Sequence, residues 1–428
     1  MSNGRYRVLD LETTVRNKGD VVQGGGFEAS PFHPHNIIVR AGWKDEGVGK
    51  VLCGNKFQVP DLPDDITLLV GQNIAFDLEY MLMGHLKNFK RDTLPEVIDA
   101  DNYLNWWNWF YSGGLIWDTM IAQYILTGQH QKWANLDALS KEYGGTQKDD
   151  KIKAYWEAGV PTEDIPDAEL VAYLYHDVRN TEIVFLAQLE RAEEQGQLAL
   201  IMQMMEARMA TIEMELNGTY LDRDGCKTAS LVLEKEITEL STEAQHKVDA
   251  HVDPNVNVAV GSSQQMSKFF FGGEIKSTVE EVVLDEAGNP ARYKGGKRKG
   301  EVKTRKATVT HTLDKIPGIS AGMMTTRNKN GSWRLDDDVL KKLELHFQLG
   351  SVGGGSGIPD PVSHDLYELV VLLREIRKKE KDLSAFYKPY VKLCWYDGLL
   401  HPSYQHVSTD TSRLSCIKPN MQQASGGD

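Results

Sequence analysis

The stretch YRVLDLET, residues 6–13, is a short apolar run that ends in carboxylates. Its composition and length predict a β-strand. Residues i and i+2 of a strand point to the same side, so Asp10 and Glu12 should project together from one face at the strand end. The run therefore predicts a strand that presents a pair of acidic side chains.

The residues that follow this strand alternate between strand and helix signals. Strands are predicted at 35–44, 49–54 and 66–73, and the last is a continuous apolar run that suits a buried strand. Helices are predicted at 75–86, 117–126, 136–145 and 167–192. This interleaving predicts an α/β domain that ends near residue 195.

The second half of the chain is mostly helical in pattern. Helices are predicted within 205–222, 228–248 and 362–394. Between the last two lie a Gly/Lys/Arg-rich stretch, 288–306, and a glycine-rich stretch, 350–357. The second stretch reads as a flexible loop, whereas the first is either a basic β-hairpin or a mobile loop.

Composition and charge limit the class of protein. The chain has 428 residues, which predicts about two to four domains. Its 41% hydrophobic and 25% charged residues are ordinary for a folded protein and exclude wholesale disorder. The net charge of −13 argues weakly against nucleic acid as a partner. However, residues 1–200 carry −12 of that charge and the remainder only −1, so the acidity belongs to the first half.

The cysteines and the apolar runs bear on the cellular setting. The four cysteines lie far apart and form no CxxC pair, which argues against a zinc ribbon and a disulfide framework. No apolar run reaches about 18 residues, and the N-terminus lacks the apolar core of a signal peptide. We therefore expect no membrane partner and a cytoplasmic location.

Carboxylates gather at three predicted positions in the first half. Asp10 and Glu12 end the first strand, and Asp77 closes NIAFD, residues 73–77, where a helix follows a buried strand. Tyr173 and Asp177 lie four apart on a helix and so share one face. Four carboxylates brought together would repel one another unless cations bound them. Ligand sets made only of oxygen suit Mg²⁺ or Mn²⁺ rather than zinc.

Two such ions about 4 Å apart fit in-line phosphodiester hydrolysis, in which one activates water and the other stabilises the leaving oxygen. A tyrosine hydroxyl, with a pKa of about 10, would orient that water rather than deprotonate it. The sequence thus predicts two divalent ions held by Asp10, Glu12, Asp77 and Asp177, with Tyr173 as a fifth catalytic residue.

These residues resemble the three motifs of the DEDD 3′–5′ exonuclease superfamily, in the order DLET, NIAFD and YxxxD. The third motif matches the tyrosine subtype, because Ala172 stands where the histidine subtype has its histidine. The resemblance implies a ribonuclease-H-like fold, and it implies that Thr13, Asn73 and Phe76 help hold a frayed 3′ end. WDTMIAQYIL resembles the helix after the second motif, where Asp118 is expected to be structural.

The second half resembles the polymerase region of family-A DNA polymerases of the phage type. The matching segments are 205–222, 255–273, 373–391 and 399–423. They imply a thumb region followed by the start of a palm, so that DNA would contact Lys378, Lys379, Arg413, Asn420 and Gln422. Ser412 replaces the family's usual glycine, Cys416 its second serine and Gln423 its final asparagine.

Residues 291–306 supply the local positive charge that a DNA binder needs. Eight lysines and arginines face one glutamate there, a net charge of +7. Each phosphate that such a stretch neutralises releases counterions, which predicts salt-dependent and sequence-independent affinity. Lys297, Arg298 and Lys299 are the predicted contacts, within an insertion that spans 281–310.

The resemblance divides the chain into an exonuclease domain, 1–195, a helical thumb region, 196–395, and the start of a palm, 396–428. Family-A polymerases carry their polymerising carboxylates beyond this point, so we expect that the chain does not polymerise DNA alone. Either a second polypeptide supplies palm and fingers, or the sequence is truncated.

The leading hypothesis is a Mg²⁺-dependent proofreading exonuclease that acts on single-stranded or frayed 3′ ends of DNA, in the host cytoplasm if it is phage-encoded. Two alternatives stay open. One is a stand-alone DEDD nuclease that acts on RNA or repair intermediates. The other is a DNA-binding subunit that assembles with a palm and fingers partner. The basic insertion is also a candidate site for a processivity factor.

Overall fold

The chain forms two compact units. Unit 1 comprises residues 1–226 and 388–428, and unit 2 comprises residues 227–387. Within the part of the chain that is described, no helix is long and apolar enough to cross a membrane. The structure, a computed structural model, describes residues 4–17, 27–88, 100–146, 151–324, 326–329, 331–351 and 361–423.

Unit 1 contains a mixed five-stranded sheet in the order β5-β4-β1-β6-β7. β1 is antiparallel to β4 and parallel to β6, while β6 and β7 are parallel and β4 and β5 antiparallel. A separate short pair, β2 with β3, follows β1 in the chain. The strands are β1 (Arg5–Thr13), β2 (Arg16–Asn17), β3 (Phe27–Glu28), β4 (Ile38–Asp45), β5 (Leu52–Cys53), β6 (Ile66–Gly71) and β7 (Leu115–Asp118).

The first strand is central because its side chains are covered on both faces. Val8, Leu9 and Leu11 are all buried in one hydrophobic core, although they alternate between the two sides of the strand. The strand predicted at 6–13 is thereby confirmed, as are the strands predicted around 35–44, 49–54 and 66–73.

Seven helices follow or separate these strands in the described part of unit 1. The longest, α6, packs on β1, β4 and β6 through apolar residues that include Val178 and Phe185. The mixture of sheet and helices confirms the predicted α/β class for this part of the chain. The helices are α1 (Ile74–Asn88), α2 (Ala100–Tyr111), α3 (Thr119–Leu126), α4 (Leu136–Glu142), α5 (Lys151–Glu157), α6 (Asp167–Glu194) and α7 (Leu198–Asn217).

Helix α7 lies beyond the predicted domain boundary at 195 but packs with the sheet. It contacts β7, α1, α3 and α6. Its residues Ile201, Met205 and Ile212 are fully buried in the same core as β1. Because this apolar stripe is buried in the core of unit 1, α7 belongs to unit 1 even though it follows α6, where the predicted domain ended. The packing therefore divides the chain at 226 and not at 195.

The C-terminal segment also belongs to unit 1. The Phe32 and His401 rings stack with centroids 3.8 Å apart, and the Tyr124 hydroxyl donates a hydrogen bond to the Thr409 carbonyl (2.7 Å). The predicted palm start thus packs against the α/β elements instead of forming a third unit. Its elements are α12 (Lys388–Leu393), β11 (Leu399–Leu400), β12 (Ser403–Gln405) and β13 (Ser415–Ile417), and β11 pairs with β8 (Thr219–Tyr220).

Unit 2 is built mainly from helices around its own hydrophobic core. Lys247 on α8 donates hydrogen bonds to Asp365 (2.7 Å) and Glu368 (2.6 Å) on α11, which joins these two helices by an ion-pair network. The mostly helical character predicted for this region is confirmed. Its helices are α8 (Arg223–Ala250), which enters from unit 1, α9 (Ser263–Phe271), α10 (Asp337–Ser351) and α11 (Pro361–Asp382), which continues as a π-helical turn, Leu383–Tyr387.

The basic insertion is a β-hairpin, which decides between the two structures that the sequence allowed. Strand β9 (Gly273–Val282) pairs antiparallel with β10 (Thr304–Leu313) along its whole length. Apolar and β-branched residues alternate along β10, a pattern that favours a strand over a loop. The base of the hairpin is anchored in the core of unit 2 through Ile275.

Candidate functional site

The first two predicted ligands lie at the end of β1. Asp10 pairs across the sheet with Gly42 of β4, and Glu12 pairs with Arg40. Glu12 is buried and Asp10 is half-buried. Their i, i+2 spacing on a regular strand directs both carboxylates to the same face, as the sequence predicted.

The Asp77 carboxylate is hydrogen-bonded to the backbone between Asp10 and Glu12. The Leu11 N–H donates a hydrogen bond to Asp77 Oδ1 at 3.0 Å. Asp77 lies in the first turn of α1 and is 4% exposed. Burial raises its pKa well above the usual range, and the negative charge of Asp10, and less so that of Glu12, raises it further. The structure therefore brings three of the four predicted carboxylates into electrostatic contact.

Helix α6 carries Tyr173 and Asp177 across the same strands. The close approach occurs at Gly42, where an added Cβ would lie 3.1 Å from Leu174 Cβ. Asp177 is buried, and the half-buried Tyr173 packs edge-on against Trp156 with ring centroids 6.0 Å apart. The absence of a side chain at Gly42 thus lets the helix that bears the third motif lie against β4 at the position that pairs with Asp10.

Thr13, Asn73 and Phe76 lie near this carboxylate group. Tyr80 packs on one of them, with its ring centroid 5.0 Å from that of Phe76. Asn73 has a left-handed backbone with φ +57°, a conformation that asparagine tolerates better than most residues. Its N–H donates to Asp118 Oδ1 (3.2 Å).

Asp118 has a structural role, as expected. Its carboxylate caps helix α3 by accepting from the Met120 N–H at 2.9 Å, and burial raises its pKa. The other oxygen, Oδ2, is buried without a hydrogen-bond donor among the described residues. Asp118 therefore holds the start of α3 and also lines the cavity described next.

A cavity of about 530 Å³ opens beside Asn73 and Phe76. One wall comes from the α/β elements and includes Phe32 and Trp133. The opposite wall comes from the C-terminal segment, residues 393–407 with 417–418. Because the two walls come from segments that are far apart in the chain, the sequence showed no sign of this cavity.

Charged side chains that sequence reasoning missed are buried against this cavity. Arg208 Nη1 lies 3.0 Å from Glu215 Oε2, and the side chains of both are less than one-tenth exposed. The pKa of Glu79 on α1 is raised well above normal by burial and by the nearby Glu215 charge. The sequence could have indicated this buried network through the polar residues at positions 208, 211 and 215, which lie on the helix face that also buries Ile212.

A buried histidine completes this network. His406 Nε2 lies 2.9 Å from the Thr211 hydroxyl. Burial lowers its pKa to about 4, and the nearby Arg208 charge acts in the same direction. His406 is therefore neutral at ordinary pH and connects the C-terminal segment to α7.

The predicted ligands have the right chemistry for a hard divalent cation, but they are not arranged closely enough to hold one. All four predicted ligands supply carboxylate oxygens, and the mutual repulsion that raises the pKa of Asp77 is what such a cation relieves. Within the described ranges, however, no group of three or more His, Cys, Asp or Glu side chains is close enough together to hold an ion. Ion binding would thus require these carboxylates to move closer together.

The predicted DNA contacts near the C-terminus are exposed. Arg413 and Gln422 lie on the surface, and Asn420 is half-buried, accepting a hydrogen bond from the Gln422 N–H (3.2 Å). Ser412 has a φ of +53°, a left-handed conformation that explains why a glycine suits this position.

The predicted DNA contacts in unit 2 differ in availability. Lys378 is exposed, but Lys379 forms ion pairs with Glu236 (2.9 Å) and Glu375 (3.6 Å) within its own unit. Lys297 and Lys299 are exposed at the end of the β9–β10 hairpin. Arg298, between them, pairs with Glu301 at 2.7 Å. Lys379 and Arg298 therefore already have acidic partners, which their positions in the sequence did not reveal.

Comparison with known proteins shows the fold but not the family. No family model matches the chain. No curated protein matches it either. Among solved structures, the POL domain of Pol1 from M. smegmatis, in complex with DNA primer-template and dNTP, matches with a TM-score of 0.54 and 12% identity. The match covers 99% of this chain and 53% of that one, so this chain spans about half the length of the structure that it resembles.

Proposed function

We propose that this chain is the proofreading part of a family-A DNA polymerase, with a 3′–5′ exonuclease site in unit 1. The observation that carries the proposal is the hydrogen bond from Leu11 N–H to Asp77 Oδ1, which joins the first two predicted motifs at one point. The fold shared with a solved polymerase domain supports the polymerase-related part of this proposal.

In this proposal Asp10, Glu12, Asp77 and Asp177 would hold two divalent ions, Mg²⁺ or Mn²⁺. When bound, these ions supply an activated water and stabilise the leaving oxygen. Tyr173, whose ring is held by Trp156, would orient that water through its hydroxyl. The ribonuclease-H-like fold that the sequence motifs imply is compatible with the mixed sheet.

The cavity gives the end of a DNA strand a place to lie. It is lined by Asn73 and Phe76, the residues expected to hold a frayed 3′ end, and by Tyr404 and Gln405 of the C-terminal segment. Aromatic side chains can stack on unpaired bases whatever the sequence, which suits an exonuclease that must accept every terminal nucleotide.

DNA is the proposed partner of this chain, as it is in the matched polymerase structure, of which the chain spans 53%. DNA would be bound both as a single-stranded 3′ end and as a primer-template duplex.

The test is degradation of a 5′-labelled DNA oligonucleotide in the presence of Mg²⁺. The double variant Asp10→Asn/Glu12→Gln should abolish shortening from the 3′ end while leaving the fold intact. A matched control replaces two exposed carboxylates of the same unit, Glu157→Gln/Glu190→Gln, and should retain activity. Full activity in the first variant would overturn the assignment, and faster cleavage of a matched RNA would favour a stand-alone RNA nuclease instead.

A further inference from the structure

Tyr173 is the proposed catalytic residue whose task depends on the direction of a hydroxyl group. It is half-buried on α6, where its ring packs on a small apolar cluster that includes Ile165 and Leu170. The hydroxyl of a tyrosine lies in the plane of its ring, so that plane sets the direction in which the hydroxyl donates and accepts hydrogen bonds. The torsion that turns the ring is only loosely restrained by the side chain itself. Neighbouring side chains must therefore fix the plane of the Tyr173 ring.

Trp156, on helix α5, contacts this ring at a defined angle. The two ring planes are nearly perpendicular, at 84°, and their centroids lie 6.0 Å apart. Edge-to-face packing is favourable because the positive edge of one ring meets the negative face of the other, and turning either ring weakens the attraction. The contact therefore restrains the plane of the Tyr173 ring.

The indole of Trp156 is held by a hydrogen bond of its own. Its Nε1–H donates to Thr162 Oγ1 at 3.2 Å. Thr162 is only 3% exposed and begins a short 3₁₀ turn, Thr162–Asp164, which is tied to another segment by a hydrogen bond from Lys56 Nζ to the Glu163 carbonyl. The indole thus reaches from an anchored turn to the ring of Tyr173.

Hydrophobic burial explains little of the presence of a tryptophan at this position. Trp156 is 38% exposed, and the buried residue of α5 is Ile152, four positions earlier. Stabilisation from burial grows with the apolar area removed from water, so an indole that stays partly in solvent forgoes much of it. A side chain that is hydrogen-bonded at one end and packed edge-on at the other is suited to holding its neighbour in place.

We infer that Trp156 is a positioning residue for the proposed exonuclease reaction. Anchored on Thr162, it fixes the plane of the Tyr173 ring and thereby the direction of the hydroxyl that would orient the attacking water. The inference rests on the proposed function, because Tyr173 has this task only in an exonuclease site. Orienting groups must be held within about 10–20° of their productive geometry, so a residue that does not touch the substrate can still change the rate.

The experiment measures kcat and KM for the hydrolysis of a 5′-labelled single-stranded DNA oligonucleotide in Mg²⁺. Trp156→Ala frees the Tyr173 ring and should lower kcat by roughly 2- to 10-fold, which corresponds to the strength of an edge-to-face aromatic pair. KM should stay unchanged, because Trp156 is not among the residues that line the cavity. Trp156→Phe restores an aromatic ring and should recover most of kcat.

A double variant distinguishes positioning from general packing. Tyr173→Phe removes the hydroxyl, so Trp156 would have no group left to orient. Adding Trp156→Ala to Tyr173→Phe should then cause no further loss of kcat, whereas a packing role predicts two losses that multiply. Losses that multiply would overturn the inference.

A second pair of variants tests the anchor and leaves the indole in place, which covers the case that Trp156→Ala folds poorly. Thr162→Val keeps the volume of the side chain but removes the acceptor for the indole N–H, so kcat should fall in the same direction as in Trp156→Ala. Thr162→Ser keeps a hydroxyl and should retain kcat. Tyr175→Ala removes an exposed aromatic ring from the same helix as Tyr173 and should change neither constant. Full kcat in both Trp156→Ala and Thr162→Val would contradict the positioning role.

The inference and the proposed function can fail separately. Hydrolysis that persists in Asp10→Asn/Glu12→Gln contradicts the exonuclease site itself. If that variant is inactive while Trp156→Ala retains the full kcat, only the positioning role of Trp156 is contradicted.

Discussion

Unit 1 and the β9–β10 hairpin of unit 2 both gather like charges, but they do so in opposite surroundings. In unit 1 the carboxylates of Asp77, Glu79 and Glu215 are buried, and the pKa values of Asp77 and Glu79 are raised by burial and by neighbouring negative charge. At the end of the hairpin, Lys297 and Lys299 are exposed to solvent. Buried like charges need a counterion or a proton, whereas solvated ones are screened until a partner arrives. The first arrangement suits a site that holds ions, and the second suits reversible binding of a polymer.

The comparison is tested most strongly by neutralising Asp77. Asp77→Asn keeps an oxygen for the Leu11 N–H but removes a metal ligand, so exonuclease activity should fall by about 10³-fold or more, ~4 kcal/mol in the barrier. The free energy of unfolding should not fall, and it should rise by up to about 1 kcal/mol because repulsion with Asp10 is relieved. Kinetics and urea unfolding measure the two effects.

The exposed Asp64→Asn provides the control for this change and should alter neither quantity. If Asp77→Asn lost stability and activity in parallel, the buried carboxylate would be a structural group, and the contrast between the two regions would not hold.

The next largest effect is expected at Arg208, because its positive charge balances the negative charge of Glu215 at a position that solvent does not reach. Arg208→Ala should lower the free energy of unfolding by about 3 to 5 kcal/mol, since it leaves a buried carboxylate without its cation. The matched exposed pair is Arg5 with Asp65, whose side chains are 38% and 54% exposed. Arg5→Ala should cost far less, because solvent screens this exposed ion pair. Equal costs, measured by chemical denaturation, would contradict the role assigned to burial.

The pH dependence of stability should report the buried His406. Its pKa is about 4 in the folded chain, against about 6.5 when unfolded, so the unfolded state binds the proton more readily. Its contribution is thus fully present above pH ~6.5 and is lost as the pH falls toward ~4, by up to about 3 kcal/mol. His406→Gln should flatten this dependence relative to the unaltered protein. The exposed His130→Gln should leave it as it is, and a decline that persisted in His406→Gln would have another source.

The smallest predicted effect separates two neighbours in the basic stretch, residues 291–306. Lys297→Gln should lower the salt slope of duplex binding by about 0.9. Arg298→Gln should change it by less than half as much, because its guanidinium already pairs with Glu301. Fluorescence anisotropy titrations distinguish the two, and a larger effect at Arg298 would show that the arginine contacts DNA rather than shaping the turn.

Much of the secondary structure could be predicted from local patterns. The apolar run before Asp10 and Glu12 forms β1, and the residues around Tyr173 and Asp177 lie on one long helix. The domain boundaries were harder to predict. The sequence of α7 shows an apolar stripe, but it does not show which elements that stripe packs against. The sequence left the basic insertion open between hairpin and loop, since glycine and lysine favour both.

The sequence by itself determined which side chains share a face: Asp10 with Glu12 on a strand, and Tyr173 with Asp177 on a helix. These relations follow from the strand period of two and the helix period of 3.6, which act over a few residues. Only the tertiary structure decided that Asp77 is docked on Leu11, that Arg208 and Glu79 share Glu215, and that Arg298 is occupied while Lys297 is not. Such pairings depend on burial and on distances between elements that become neighbours only when the chain has folded.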